Sequence, residues 1–375
     1  MKNKTITLTE YFKDVETTQE HDGYFISVAQ ALTVVILGSL CGLKNMSQIH
    51  QWASNPQVQH FLKEHFHIKR IPSYYWLTQL IGMIKPDSLN DCFINWVQSM
   101  VAKTGDELTV SFDGKTIRST HKLEKTKPIH IVSAHIGNLQ LTLGQTSVTD
   151  KSNEIPAVRD LIGLLDLTRC LVVADALHCQ KETAKTIIEA GADYLLNAKG
   201  NQKELKEELE TYILDPVLQK GMNRAQTLEK NKGRIEERIA YTLNDISWLH
   251  GKENWKNLTS FGAIYRRTTY KENVSEEWHF YISSRALTAQ ELLTHARLEW
   301  SIESMHWLLD VHYHEDQCRI QDEDTQKILN MVRKIALNTI RCYKEKTKSK
   351  SAMSHLMLNC LIDSQNILDV LAVLD

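Results

Sequence analysis

Apolar residues recur along this chain with two different periods, and the change from one to the other falls near residue 105. The early stretches repeat every three to four positions, as helices do. Residues 26–43 run for eighteen positions without a charge. Ser27, Gln30 and Thr33 share one helical stripe there, and Gly38, Ser39 and Gly42 weaken the far end, so a buried core helix is expected rather than a membrane span. Residues 7–16 read as a short amphipathic helix. Residues 46–62, with Ile49, Trp52, Val58 and Phe61, read as two short helices broken at Pro56. Pro72-Ser73 opens a helix through Ile81, and Pro86-Asp87-Ser88 opens another through Val101, with Asp and Ser as capping residues. Residues 1–103 are thus predicted to form a helical module for packing and dimerisation, or for binding nucleic acid.

From Leu108 the period falls to two. Leu108, Val110 and Phe112 alternate with Thr109 and Ser111, and the strand ends in a carboxylate, Asp113. Gly114 and a basic loop follow, carrying Lys115, Arg118, Lys122, Lys125 and Lys127. Residues 129–136 and 139–147 read as a hairpin turning at Gly137-Asn138. A helix over 153–165 leads to a short apolar strand, 171–174, which again ends in an acid, Asp175. A helix over 181–190 closes at Gly191, and a strand over 193–197 runs into Lys199, Gly200, Asn201 and Gln202. This order predicts an α/β fold: a mixed sheet flanked by helices.

Residues 203–210 read as a charged helix and 221–232 as a loop, while 234–242, 259–267 and 278–283 alternate as strands of a β-rich segment. Thr288 and Glu291 form a capping box for a helical stretch reaching about residue 312, with a break near Ser301 allowed. Glu303, Trp307 and Asp310 share one face of it, Trp307 being expected in the core. A further helix covers 325–343, a basic run covers 344–350, and an apolar helix covers 356–374.

Composition narrows the field. The 375 residues are 42% hydrophobic and 24% charged, an ordinary soluble balance. The net charge is −2, from 44 basic and 46 acidic residues, so a nucleic-acid partner requires local positive patches. Seven scattered cysteines without a CxxC pair predict reduced thiols, and the first ten residues lack the apolar core of a signal peptide, so a cytoplasmic location is expected.

Two strand-end aspartates and one helix glutamate suit a hard, oxygen-loving cation held against phosphate. The His306, His312, His314, Glu315, Asp316 and Cys318 group fits no standard zinc spacing. His178 and Cys179 are adjacent, which is poor geometry for a nucleophile and its base, and Cys179 is expected to be a small buried residue. Asn197, Lys199 and Gln202 form a polar cluster suited to phosphate, and the Lys115–Lys127 loop leaves the acidic strand in a position suited to a DNA backbone.

The segments SFDGKTIR, LVVADALHCQKETAKTIIEAGADYLLNAKGNQ and HARLEWSIESMHWLLDVHYHEDQCRIQ resemble the DDE-type transposases of bacterial insertion sequences, most of all their H-repeat-associated group. The helical part through IPSYYWLTQLIGMIKP resembles the region preceding that catalytic domain, so the resemblance covers nearly the whole chain. It implies an RNase H-like core with a β-rich insertion before the last acid. The implied division is 1–103 helical, 104–202 and 287–343 catalytic core, 203–286 insertion, and 344–375 basic linker with a C-terminal helix. It implies a triad of Asp113, Asp175 and Glu303 that ligates Mg²⁺ or Mn²⁺, two ions in all, for cleavage and strand transfer on double-stranded DNA, with a homodimer holding two element ends. Glu299 stands where related transposases carry Arg in their YREK signature, and Asp310 where they carry Lys. The phosphate contacts of that Lys are then expected from Lys199, Arg285 or Arg319. Two other classes share these features: a DNA-binding protein without catalysis, and a metallonuclease without strand transfer.

Overall fold

The computed structural model describes residues 10–19, 25–102, 105, 107–117, 129–148, 153–231, 233–318, 320 and 322–374. Among the described residues, the first part of the chain holds α1 (Val28–Leu40), α2 (Met46–Ala53), α3 (Pro56–Phe66), α4 (Tyr74–Gly82) and α5 (Pro86–Val101). α1 starts at a capping box between Ser27 and Gln30 and is buried from Ala31 to Leu40. Its uncharged run is therefore a core helix. No helix among the described residues is long and apolar enough to cross a membrane. Pro86 takes the first position of α5, where a missing N–H costs nothing, so the cap falls on Lys85 rather than Asp87 or Ser88. Ser88 instead accepts the Glu16 N–H at 2.9 Å.

The strands β1 (Thr109–Thr116), β2 (His130–Ile136) and β3 (Leu141–Val148) form an antiparallel meander. Helix α6 (Glu154–Leu164), β4 (Leu171–Ala174), α7 (Lys181–Glu189) and β5 (Asp193–Ala198) follow, and β4 and β5 add in parallel beside β1. Next come α8 (Lys203–Leu214), the single-turn α9 (Pro216–Gln219), and the strands β6 (Asn223–Asn231), β7 (Arg234–Leu243), β8 (Ser260–Tyr270) and β9 (Asn273–Ser283). β9 pairs antiparallel with β5, so one nine-stranded sheet results, in the order β3-β2-β1-β4-β5-β9-β8-β7-β6. The loop expected over 221–232 is thus an edge strand. Its polar run (Arg224, Gln226, Glu229, Lys230) carries no alternation, and its pairing comes from β7 through the turn at Gly233, whose φ is +81°.

The C-terminal third supplies α10 (Ala289–Glu299), α11 (Ser301–Tyr313), α12 (Glu323–Thr347), α13 (Met353–Ile362) and α14 (Gln365–Leu371). α12 runs four residues past the expected end at 343, through the start of the basic run, and the final apolar stretch is two helices parted at Asp363. α12 is buried from Thr325 to Ile340 apart from Lys327, and packs against α1, α5 and β3. The helical module and the sheet consequently share one apolar core. α6 packs against β2 and β3, while α10 crosses β1, β4 and β6 to β8.

Candidate active site

The ladder between β1 and β4 sets the site. Thr109, Val110 and Ser111 lie beside Leu171, Val172 and Val173. Two residues further on in the same direction, the strands reach Asp113 and Asp175. Asp175 therefore stands just past the carboxyl end of β4, while Asp113 lies within β1, which does not end at the acid as expected but runs on, paired with β2, to Thr116. Asp175 leaves β4 into a single 3₁₀ turn and accepts the Leu177 N–H at 3.0 Å. Asp113 is 42% exposed.

Along β1, side chains alternate between the two faces of the sheet. Ser111, Asp113 and Lys115 take one face, and α11 covers it. His306 of α11 brings its Nε2 to 3.4 Å from Asp113 Oδ2. Glu303, one turn earlier, is exposed near the start of α11. The buried stripe of α11 is Ile302, Met305, Leu309 and Tyr313. Trp307 lies off that stripe and is 60% exposed, contrary to the core position expected for it.

Glu299, the last residue of α10, is buried one helical turn before Glu303. Burial pushes its carboxyl up to about 7, helped by the negative charges of Asp175, Glu303 and Asp113, while Lys199 opposes them. This places four carboxyl groups in one another's fields. The oxygens of Asp113, Asp175 and Glu303 do not all approach within 4.8 Å; among the described residues, Asp310, Glu315 and Asp316 do. A lysine already serves that second group. Lys115 Nζ donates to Asp310 Oδ1 at 2.6 Å and to Glu315 Oε2 at 2.5 Å, with Asp316 at 3.9 Å. Glu315 also accepts from Asn330. Lys115, named above for DNA, is instead 16% exposed and ion-paired within the protein.

The opposite face of β1 holds a buried cluster. Glu154, at the start of α6, accepts from His130 at 2.8 Å and lies 3.3 Å from His178 Nε2, and His130 Nδ1 meets Thr116 Oγ1 at 2.9 Å. Burial alone would raise the Glu154 carboxyl, but the two imidazoles hold it down at about 2. Gly114 abuts this cluster: a Cβ there would sit 2.3 Å from His130 Nε2 and 2.6 Å from Glu154 Oε2. His178 closes the turn that Asp175 opens. One buried carboxylate thus underlies the segments carrying Asp113 and Asp175.

Comparison with known proteins decides the family. The profile of the transposase DDE domain matches residues 104–339, and the DDE_Tnp_1-associated profile matches residues 9–97. The H repeat-associated putative transposase YhhI of Escherichia coli K12 is 30% identical over 322 residues, which are 83% of this chain and 84% of that one. The putative transposase YncI of Escherichia coli O157:H7 is 35% identical over 283 residues, 73% of this chain and 72% of that one. The chain belongs to the DDE transposase family. A piggyBac transposase in a synaptic complex with hairpin DNA resembles it more loosely, at 8% identity and a TM-score of 0.45 over 97% of this chain and 76% of that one.

Within this DDE transposase the remaining expected contacts scatter. Arg285 pairs with Glu107 and approaches His295 Nε2 at 3.3 Å. That is the amino end of β1, remote from Asp113, because β9 runs antiparallel to β5 and delivers Arg285 to the wrong end of the sheet. Gln202 donates to the Cys179 carbonyl at 2.9 Å, and Asn201 donates to the Ala176 carbonyl at 2.5 Å, so both amides brace the Asp175 turn. Lys199 is exposed beyond β5. Asn197 is 5% exposed, and its Oδ1 has no hydrogen-bond partner among the described residues. Arg118, Lys122 and Arg319, and the loop residues Lys125 and Lys127, lie outside the described residues. Asp310, in the position of the signature lysine, accepts from Lys115 of β1 at 2.6 Å. Cys179 is buried and its thiol is pushed up to about 12 by burial, which removes it as a nucleophile. In the native transposase Cys179 should resist a thiol reagent and react only on unfolding; rapid labelling at neutral pH would contradict its burial.

Sequence reasoning missed two groups. The His130–Glu154–His178 cluster had no local signal, since its members lie 24 residues apart along the chain. Glu299 had one: a carboxyl where related signatures carry a guanidinium.

Proposed function

We propose that the protein is an insertion-sequence transposase that cuts DNA at element ends and joins the freed 3′-hydroxyl to target DNA, using Asp113, Asp175 and Glu303. The observation that carries this reading is the parallel β1–β4 register, which sets Asp113 and Asp175 each two residues past the last paired positions, with α11 laid over the Asp113 face. The order β3-β2-β1-β4-β5, with β2 antiparallel to its neighbours, supports reading the first five strands as an RNase H-like core. β6 to β9 are then the insertion, residues 1–103 the end-binding module, and 344–375 a C-terminal appendage.

The donor set fits divalent cations. Three carboxylates that are half-exposed or exposed offer only oxygen, the donor a hard cation takes. Mg²⁺ or Mn²⁺ would be held by the carboxylate oxygens of Asp113, Asp175 and Glu303. Such ions supply Lewis acidity to the phosphodiester and make water or a 3′-hydroxyl a stronger nucleophile at neutral pH. The protein's part is to fix the acids on ordered elements: Asp113 on β1, Asp175 at the 3₁₀ turn leaving β4, and Glu303 on a helix that His306 seats against Asp113. Lys199, exposed beside the acids, is suited to a phosphate of the bound strand. A homodimer follows from the need to hold two ends together.

The test is incubation with DNA flanking the protein's own gene, with Mg²⁺ and with EDTA. Nicks at the element ends and joined products are expected with Mg²⁺ alone. Binding without cutting would make it a DNA-binding protein, and cutting without joining of a supplied 3′-hydroxyl end would make it a nuclease.

A further inference from the structure

α10 lays a stripe of Leu292 and Ala296 over Leu171 and Val173 of β4, Leu195 of β5 and Tyr281 of β9. Each of these rows has a next member on the same face. On α10 it is Glu299, three residues beyond Ala296. On β4 it is Asp175, two residues beyond Val173, and on β5 it is Asn197, two residues beyond Leu195. Leu196 lies beside Ala174 in the β4–β5 ladder, so Asn197 and Asp175 are neighbours along it. Asn197 faces Tyr281 across the β5–β9 ladder, and the Tyr281 hydroxyl is in turn raised by burial and by the charge of Glu299. The apolar packing under α10 therefore gives way, at its end, to three oxygen-bearing side chains beside Glu303.

Two of the three are out of keeping with a structural role. Asn197 is nine-tenths buried with an unpartnered carbonyl oxygen. Glu299 is 9% exposed and lies in the fields of Asp175, Glu303 and Asp113, which Lys199 opposes, although among the described residues no three of these four carboxyls bring their oxygens within 4.8 Å of one another. A buried carboxyl among like charges, next to an unmet acceptor, destabilises a fold. Both would gain from a hard cation, which takes carboxylate and amide oxygens alike.

We propose that Glu299 is a fourth carboxyl of the metal-binding centre, forming with Asn197 the inner wall of the cation site whose outer ligands are Asp113, Asp175 and Glu303. The inference rests on the transposase reading above and adds to it a residue that related signatures lack. The wall is matched to a cation as nearly bare as the site allows, because Glu299 and Asn197 are screened from water. A guanidinium in place of Glu299 would instead repel a cation there.

The experiment uses the full-length protein without DNA. Mn²⁺ binding is measured by calorimetry for the wild type, Glu299→Gln, Glu299→Asp and, as a control, Asp113→Asn, and each is also melted over a range of pH without metal. Glu299→Gln is expected to weaken Mn²⁺ binding about tenfold, as loss of a supporting group around a metal commonly does, and to raise the Mg²⁺ needed for half-maximal cleavage by a similar factor. Its melting temperature without metal should not fall below the wild type's at any pH in that range, because the glutamine removes a buried carboxyl and keeps its shape, whereas loss of a purely structural brace would lower it. Unchanged Mn²⁺ affinity in Glu299→Gln overturns the proposal. Should that variant not fold, Glu299→Asp decides: weaker binding supports the fourth carboxyl, and wild-type affinity overturns it. If the wild type binds no Mn²⁺, or Asp113→Asn binds as well as the wild type, the triad reading itself fails.

Discussion

Replacing Asp113 by alanine should lower metal-dependent cleavage of element-end DNA by roughly a thousandfold or more, because groups acting as one centre lose most of its effect when any member goes. Folding should hardly change. Asp113 is half-exposed on β1 and lies 3.4 Å from His306, and removing it deletes both that contact and a negative charge from an acidic site. The expected change in stability is within about 1 kcal/mol, the range of a partly exposed ion pair. Glu303→Ala should behave alike, since Glu303 is exposed on α11. Asp175 is different. It accepts the Leu177 N–H and so caps its own turn, and alanine there would cost about 1 kcal/mol besides the activity. Asp175→Asn keeps an oxygen for that bond and isolates the chemical role. Cleavage assays, thermal melts and end-binding measurements on the same preparations separate the effects. A Glu303→Ala protein that cuts at the wild-type rate would sink the triad.

The second large effect is on stability. Glu154→Ala should destabilise the fold by about 1–3 kcal/mol, the usual penalty for leaving buried hydrogen-bonding partners unsatisfied. The mutation strands His130 and His178, both nearly fully buried, without their shared acceptor. Gly114→Ala should fail similarly, by driving a methyl into the same cluster. The wild-type contribution carries a pH signature. The Glu154 carboxyl is held down at about 2 against an ordinary 4.5. The stabilisation is therefore complete above pH 4.5 and fades as pH falls toward 2. Denaturant titrations of wild type and Glu154→Ala at pH 7 and pH 3 read this directly. The gap between them should narrow in acid, and a constant gap would mean that Glu154 acts through packing alone.

How much of this was legible beforehand depends on the range of the interaction involved. Asp113 and Asp175 could be read because each ends a short run whose period and β-branched content are local properties. Their adjacency needed the β1–β4 register, which no single stretch encodes. β6 was missed because an edge strand pairs through its backbone and asks little of its side chains. Trp307 was misplaced because the spacing that links it to Glu303 marks a shared face without saying which face is wet; Ile302, Met305 and Leu309 decide that. Lys115 was read as free because its three carboxylate partners lie about two hundred residues away, on α11 and the turn after it. Arg285 was misassigned because the sense of β9 relative to β5 was unknown.

The hydrogen-bonded junction of β9 with β5 has a mechanical corollary. The long hairpins of β6 to β9 are not hung from the catalytic half by a tether but are welded to it edge to edge. The ladder is unbroken from β6 to Asn197 and Tyr281, so the arms and the candidate site are expected to shift as one body.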